Sequence, residues 1–127
     1  MAVAIRAKGS RRLMAITDAT AGAGLPIGTQ VSLGDQTIIV TTRTAELEDG
    51  TIAGSVLTMD AAFRMLVNRI GLPVFDAARM CATTPAAELG LVDRGSIAPG
   101  LAADLVVLGP DLRVRQTYIG GAAVLEH

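Results

Sequence analysis

The stretch Arg12-Leu13-Met14-Ala15-Ile16-Thr17-Asp18 decides how this chain is read. A short apolar run ends there in a polar pair, and a loop carrying Gly22, Gly24, Pro26 and Gly28 follows. The pattern predicts a buried strand that delivers Asp18 to its exposed end. Beyond the loop, Gln30 to Leu33 and Gln36 to Thr44 are rich in β-branched residues and separated by Gly34-Asp35, a two-residue turn signal. A β-hairpin is expected, continued by Ala45 to Leu47.

After Asp49-Gly50 the periodicity changes. Phe63, Leu66, Val67 and Ile70 recur at i, i+3, i+4 and i+7, one face of a helix, with Thr58 as its N-cap and Gly71 and Pro73 as its stop. A second helix is expected over about Val74 to Ala82, its first turn carrying Asp76 toward the positive end of the helix dipole. Thr84-Pro85 opens a short turn closed by Gly90. The turn-rich link from Gly95 to Gly100 then leads into two strands, Asp104 to Leu108 and Arg113 to Ile119, separated by Gly109-Pro110-Asp111. Strand, hairpin, two helices and a further hairpin do not close a two-layer domain of their own, so the order points to part of a larger α/β fold.

Composition narrows the functional classes. Of 127 residues, 50% are hydrophobic but only 2% aromatic, so any core is built from aliphatic side chains and Met. The mean hydropathy of +0.48 is high, yet no apolar run approaches the roughly 20 residues that span a bilayer. A net charge of −1 supplies no long-range field for nucleic acid or an anionic membrane, so neither is expected as a partner. Arg6, Lys8, Arg11 and Arg12 cluster without interleaved aromatics and read as a solvated face. The single cysteine, Cys81, falls on the apolar side of the second helix, where a small hydrophobe is expected rather than a nucleophile. No secretory leader pattern stands at the start, which makes a cytoplasmic location the default expectation. Leu125, Glu126 and His127 read like the start of an affinity tag, and without His127 the sequence has no histidine.

Three stretches carry a family resemblance that runs from Ala2 to about Gly121. They are Leu13-Met14-Ala15-Ile16-Thr17-Asp18-Ala19; Asp49-Gly50-Thr51-Ile52-Ala53-Gly54-Ser55-Val56-Leu57-Thr58-Met59; and Gly95-Ser96-Ile97-Ala98-Pro99-Gly100 with Ala103-Asp104-Leu105-Val106-Val107-Leu108. Together they resemble N-acetylglucosamine-6-phosphate deacetylases of the amidohydrolase superfamily. The third stretch is common to many amidohydrolases, and the second is the most diagnostic of the deacetylases.

The resemblance implies an α/β fold, the C-terminal fragment of an amidohydrolase (β/α)8 barrel with its last strand and helices, plus strands of a small composite β-domain. The expected boundaries are 1–29 for the end of the barrel with its last strand and 30–48 for the hairpin. Residues 49–92 would form the barrel-associated helices, 93–121 the C-terminal strands of the small domain, and 125–127 a tag remnant. Catalytic groups of such barrels sit at the C-terminal ends of strands, and Asp18 matches that position. Taken alone, an Asp between a strand and a Gly-rich loop is an ordinary turn residue; the surrounding match assigns it the catalytic role. Amide hydrolysis needs a base for the attacking water and an acid for the departing amine, and one carboxylate can serve both steps. Ile52, Ala53 and Gly54, otherwise a plain connector into the helix, are implied to contact the substrate. Asp104 is read as a turn residue at a strand entrance.

The resemblance also implies a complete enzyme that uses a divalent metal, zinc, iron or manganese, and hydrolyses N-acetylglucosamine 6-phosphate to glucosamine 6-phosphate and acetate. The family's metal-binding Glu and His residues have no counterpart in this sequence, so the isolated chain is expected to be inactive and to self-associate or pair with a missing N-terminal portion. Two rivals stand beside this reading: a fragment of another amidohydrolase, dihydropyrimidinase-like or aminoacylase-like, and a noncatalytic assembly module that kept a half-fold without a metal centre. One carboxylate with no His or Cys partner cannot hold a transition metal tightly. Elemental analysis of the chain freed of its last three residues is therefore expected to find no stoichiometric zinc, iron or manganese; about one tightly held ion per chain would contradict this.

Overall fold

A computed structural model describes residues 2–126. The chain divides into two units, one of residues 1–15 with 63–127 and one of residues 16–62. The expected hairpin and helices are present within them, and several elements go beyond the expectation.

In the unit of residues 16–62, four antiparallel strands follow one another in the order β1 (Gln30–Leu33), β2 (Gln36–Val40), β3 (Thr44–Leu47) and β4 (Ile52–Ser55). Gly34-Asp35 closes the first pair with Leu33 opposite Gln36, the register that a two-residue turn dictates. Ile38 and Val40 alternate inward on β2 and are buried with Ala45 of β3. The Gly-rich loop lies over this apolar face. A Cβ at Gly22 would stand 2.6 Å from Val40 Cγ2, so only glycine lets the loop come this close. Gly28 N–H donates to Val40 C=O and Val40 N–H to Thr29 C=O, which fixes the loop to the strand.

The residues Ile52 to Gly54, a plain connector when read without the family resemblance, lie in strand β4. Its pairing with β3 is irregular: Ala45 faces Gly54 and Glu46 faces Ile52, which leaves Ala53 as a bulged residue with nothing opposite it.

The other unit contains α1 (Ala2–Lys8), a 3-10 turn (Ser10–Arg12), most of α2 (Met59–Asn68), α3 (Val74–Ala78), α4 (Thr84–Glu88) and an antiparallel sheet of β5 (Leu105–Leu108), β6 (Val114–Ile119) and β7 (Ala122–Glu126). The periodic stripe predicted a helix correctly. Phe63 and Leu66 are buried with Ile5, Ala77 and Met80, and Val67 and Ile70 pack against that cluster. Helix α2 starts right after Thr58, whose C=O accepts Ala62 N–H, and Gly71 at φ 79° turns the chain at its end. Leu125 and Glu126 pair with Thr117 and Gln116 as the end of β7, while His127 lies outside the described residues.

The second helix is longer than expected and interrupted. Between α3 and α4, residues Arg79–Thr83 form a π turn in which Thr84 N–H donates to Arg79 C=O, five residues back. Pro85 has no N–H, so once Thr84 is committed to Arg79, the Met80 carbonyl has no donor left within the helix. That carbonyl accepts Ala15 N–H at 2.9 Å instead.

The buried strand expected from Leu13 to Ile16 requires correction. Leu13 is extended, at φ −132° and ψ 141°, and residues 13–18 alternate between half-buried and exposed, but they form no ladder. Ile16 is 75% exposed. A strand is completed by its neighbours, and among the described residues only a single parallel bridge, Ala19 to Ser55, reaches this segment from another strand.

Candidate active site

The residues singled out from sequence, Asp18 and Ile52 to Gly54, come together in one unit. The parallel bridge from Ala19 to Ser55 sets β4 beside the end of the extended segment. Asp18 has φ 53°, one of two non-glycine residues with positive φ among those described. Left-handed backbone costs an L-residue about 1–2 kcal/mol, and Asp tolerates it better than most. Surrounding hydrogen bonds hold it there. Ser55 N–H donates to Asp18 C=O at 2.8 Å, and Thr20 N–H donates to Ser55 C=O at 2.9 Å. Ser55 Oγ donates to Thr17 C=O and accepts Leu57 N–H at 3.1 Å. Thr20 Oγ1 adds a longer bond to Ser55 C=O, at 3.3 Å.

The carboxylate of Asp18 is treated differently from its main chain. The residue is exposed, and no hydrogen bond or ion pair engages its side chain among the described residues. Asp49, by contrast, accepts Thr51 N–H at 2.9 Å in the turn before β4, and that bond holds its carboxyl below the usual carboxylate range. Asp104 has the structural role expected of it: Oδ1 accepts Gly120 N–H at 2.8 Å and Oδ2 pairs with Arg94 at 3.0 Å. Cys81 packs against the apolar cluster, where burial raises its thiol pKa and suppresses the reactive thiolate.

Gly54 packs directly against Asp18. A Cβ at Gly54 would lie 2.6 Å from Thr20 Cγ2, 3.1 Å from Asp18 C=O and 3.9 Å from Asp18 Oδ2, on a backbone with φ 140°. Ala53, the bulged residue, precedes it, and Ile52 is 66% exposed. The glycine thus has a packing reason of its own, the close approach of β4 to the Asp18 main chain. Sequence reasoning missed Ser55 and Thr20; their partners are mostly main-chain atoms, which leave no side-chain pattern to read.

Among the described residues, no three His, Cys, Asp or Glu side chains come together as a metal-binding group.

Comparison with known proteins identifies the family. Residues 10–124 match the family model described as "Amidohydrolase family", and the chain belongs to that family. Within it, the chain is similar to sugar-phosphate deacetylases. The N-acetylglucosamine-6-phosphate deacetylase of Bacillus subtilis (strain 168) is 38% identical over 120 residues, covering 94% of this chain and 30% of that protein. The N-acetylgalactosamine-6-phosphate deacetylase of Shewanella sp. (strain ANA-3) is 36% identical over 119 residues, covering 91% of this chain and 29% of that protein. The crystal structure of N-acetylglucosamine-6-phosphate deacetylase from Thermotoga maritima superposes with a TM-score of 0.87 at 35% identity, over 98% of this chain and 34% of that one. The chain thus spans about 30% of the length of these curated relatives.

The close approach at Gly54 can be tested against a glycine that also has positive φ but stands in open surroundings. Gly50 also has positive φ, at 82°, but nothing lies within 4 Å of where its Cβ would be. Gly50→Ala should cost about 1 kcal/mol from backbone conformation, whereas Gly54→Ala should cost about 1–3 kcal/mol more because Thr20 and the Asp18 carbonyl must move. Equal shifts of the denaturant midpoint for the two variants would rule out the packing account.

Proposed function

We propose that this chain supplies the catalytic carboxylate and part of the sugar-binding wall of a deacetylase that hydrolyses N-acetylglucosamine 6-phosphate to glucosamine 6-phosphate and acetate. One observation carries the reading: Asp18 is held by its main chain in a left-handed conformation while its carboxylate is exposed and unengaged among the described residues. A group fixed in position but free at its functional end is suited to proton transfer. The proposed placement is the end of the last barrel strand, with the β5–β7 sheet belonging to the small composite domain.

The chemistry follows from the bonds that change. Water attacks the acetyl carbonyl carbon and a C–O bond forms; Asp18 takes the proton that the water releases. The C–N bond then breaks, and Asp18 returns the proton to the departing sugar nitrogen, leaving acetate and the free amine. The divalent metal implied by the family would be held by residues outside this chain, because the donors here do not fit one. Ile52, Ala53 and Gly54 are proposed to line the sugar. A bulge frees main-chain groups from the ladder, which supports the proposal that the N–H and C=O of Ala53 contact the ligand.

A second reading of the substrate is N-acetylgalactosamine 6-phosphate, favoured by the similarity to the Shewanella enzyme. The two sugars share the acetamide and the phosphate, so the Asp18 step is common to both. Turnover of each by the complete enzyme separates the readings.

By itself the chain is proposed to be inactive and to self-associate or pair with the remainder of a complete enzyme. Val92 and Ile97 are about 90% exposed, and Val106 and Ile119 of the second sheet are more than half exposed. At about 25 cal/mol per Å², covering several hundred Å² of such surface contributes several kcal/mol toward association.

Two outcomes are expected. In the complete enzyme, Asp18→Asn should lower kcat by about three orders of magnitude or more with little change in KM, because the amide keeps the shape and tolerates the left-handed backbone but accepts no proton. Near wild-type turnover would remove Asp18 from the mechanism. Light scattering of the isolated chain at micromolar concentration should report a dimer or larger species; a stable, monodisperse monomer that unfolds cooperatively would overturn the association.

A further inference from the structure

The hydrogen bonds around Asp18 converge on one residue outside the matched catalytic and sugar-contacting positions. All three polar atoms of Ser55 are engaged with the neighbourhood of Asp18. Its N–H donates to Asp18 C=O at 2.8 Å, its C=O accepts Thr20 N–H at 2.9 Å, and its Oγ donates to Thr17 C=O. The same Oγ accepts Leu57 N–H at 3.1 Å, which ties the chain leading from β4 toward α2 into the same node. The carbonyls of Thr17 and Asp18 are thus both fixed from Ser55, and between them lies the peptide whose rotation sets φ of Asp18, 53°. Main-chain bonds alone would restrain Asp18 from one side. The hydroxyl restrains the preceding residue as well, so the Asp18 Cα–Cβ direction is defined by both flanking peptides.

We propose that Ser55 is a positioning residue for the reaction: its hydroxyl sets the direction from which the Asp18 carboxylate meets the substrate, and Thr20, through Oγ1 to Ser55 C=O at 3.3 Å, braces the opposite side. The proposal rests on Asp18 being the proton-transfer group. It goes beyond that reading by assigning a role to a hydroxyl that need not touch substrate. The geometry accounts for why a serine stands here. An alanine would keep both main-chain bonds of the strand and lose only the bond to Thr17 C=O and the acceptor for Leu57 N–H. Proton transfer is sensitive to sub-ångström displacement of the base, whereas binding of the sugar through other groups is not.

The test is made in the complete deacetylase that carries this segment. Ser55→Ala is expected to lower kcat about ten- to a hundredfold while KM changes less than about twofold, since a displacement of about 1 Å can cost up to 10²-fold in rate. Ser55→Thr, which keeps the hydroxyl, is expected to recover kcat to within about threefold of the parent. In an Asp18→Asn background, adding Ser55→Ala should cause no further loss, because the group being positioned no longer transfers a proton. An unchanged kcat in Ser55→Ala, or an equal loss in both backgrounds, overturns the positioning role and leaves Asp18 as the base. Near wild-type turnover in Asp18→Asn itself overturns the catalytic reading, and the proposal falls with it. Should Ser55→Ala fail to fold, Thr20→Val is measured in the same scheme: a drop in kcat at constant KM that vanishes in the Asp18→Asn background supports the proposal, and an unchanged kcat overturns it.

Discussion

Ser55 N–H reaches the carbonyl of Asp18, and Ser55 C=O takes the N–H of Thr20; between these two bonds the chain is bent into a left-handed residue that it would not adopt unaided. Much of the unit of residues 16–62 follows from that constraint. Residue 54 must be glycine, because β4 can approach Asp18 only where no Cβ intervenes. Ala53 is bulged, and that irregularity lies where β4 turns from its regular pairing with β3 toward its contact with the Asp18 segment. Gly22 is pressed onto Val40 for a related reason: the loop leaving Thr20 has to cross the sheet at van der Waals distance. A single constraint, the left-handed conformation imposed on one aspartate, thus goes together with small residues at several places along the chain.

What the sequence made legible follows the range over which each signal acts. Phe63, Leu66, Val67 and Ile70 announce their helix because burial on one face has a local period, and Gly34-Asp35 announces its hairpin because turn chemistry is local too. Strand β4 was not legible: Ile52-Ala53-Gly54-Ser55 has one β-branched residue and no alternation, and it is a strand only because β3 and the Asp18 segment lie on either side of it. The segment from Leu13 to Thr17 failed in the opposite sense, since it has the residues of a strand without a ladder among those described. The π turn escaped because its cause, a proline six residues beyond Arg79, reads equally well as the start of a new turn. Of the candidate site, Asp18 and Gly54 were singled out through family resemblance, while Ser55 and Thr20 bond mainly to main-chain atoms and leave no trace in side-chain pattern.

The division of the chain also sorts its polar groups. In the unit of residues 16–62, the hydroxyls of Thr41 and Thr44 meet each other at 2.8 Å and share the Glu46 carboxylate, so these groups are consumed in holding the turn between β2 and β3. In the other unit, Arg94 bridges Asp93 and Asp104, and Asp111 takes Arg115. Exposed pairs of this kind are screened by solvent and chiefly fix loop geometry. Asp18 differs from these acids: its main chain is held by Ser55, while its side chain is exposed and unengaged among the described residues.

The bond from Ala15 N–H to the Met80 carbonyl has an implication for how this fold can drift in sequence. Both partners are main-chain atoms, so side chains at positions 15 and 80 can be exchanged, within the limits of packing, without touching the bond. Its dependence lies elsewhere, at Pro85, which contributes no atom to it. Any other residue at 85 would bring an N–H to the helix and offer the Met80 carbonyl a competitor close at hand. The tether between an extended segment and a helix thus depends on a third site, and what restricts Met80 itself is its place in the buried cluster rather than the bond its carbonyl accepts.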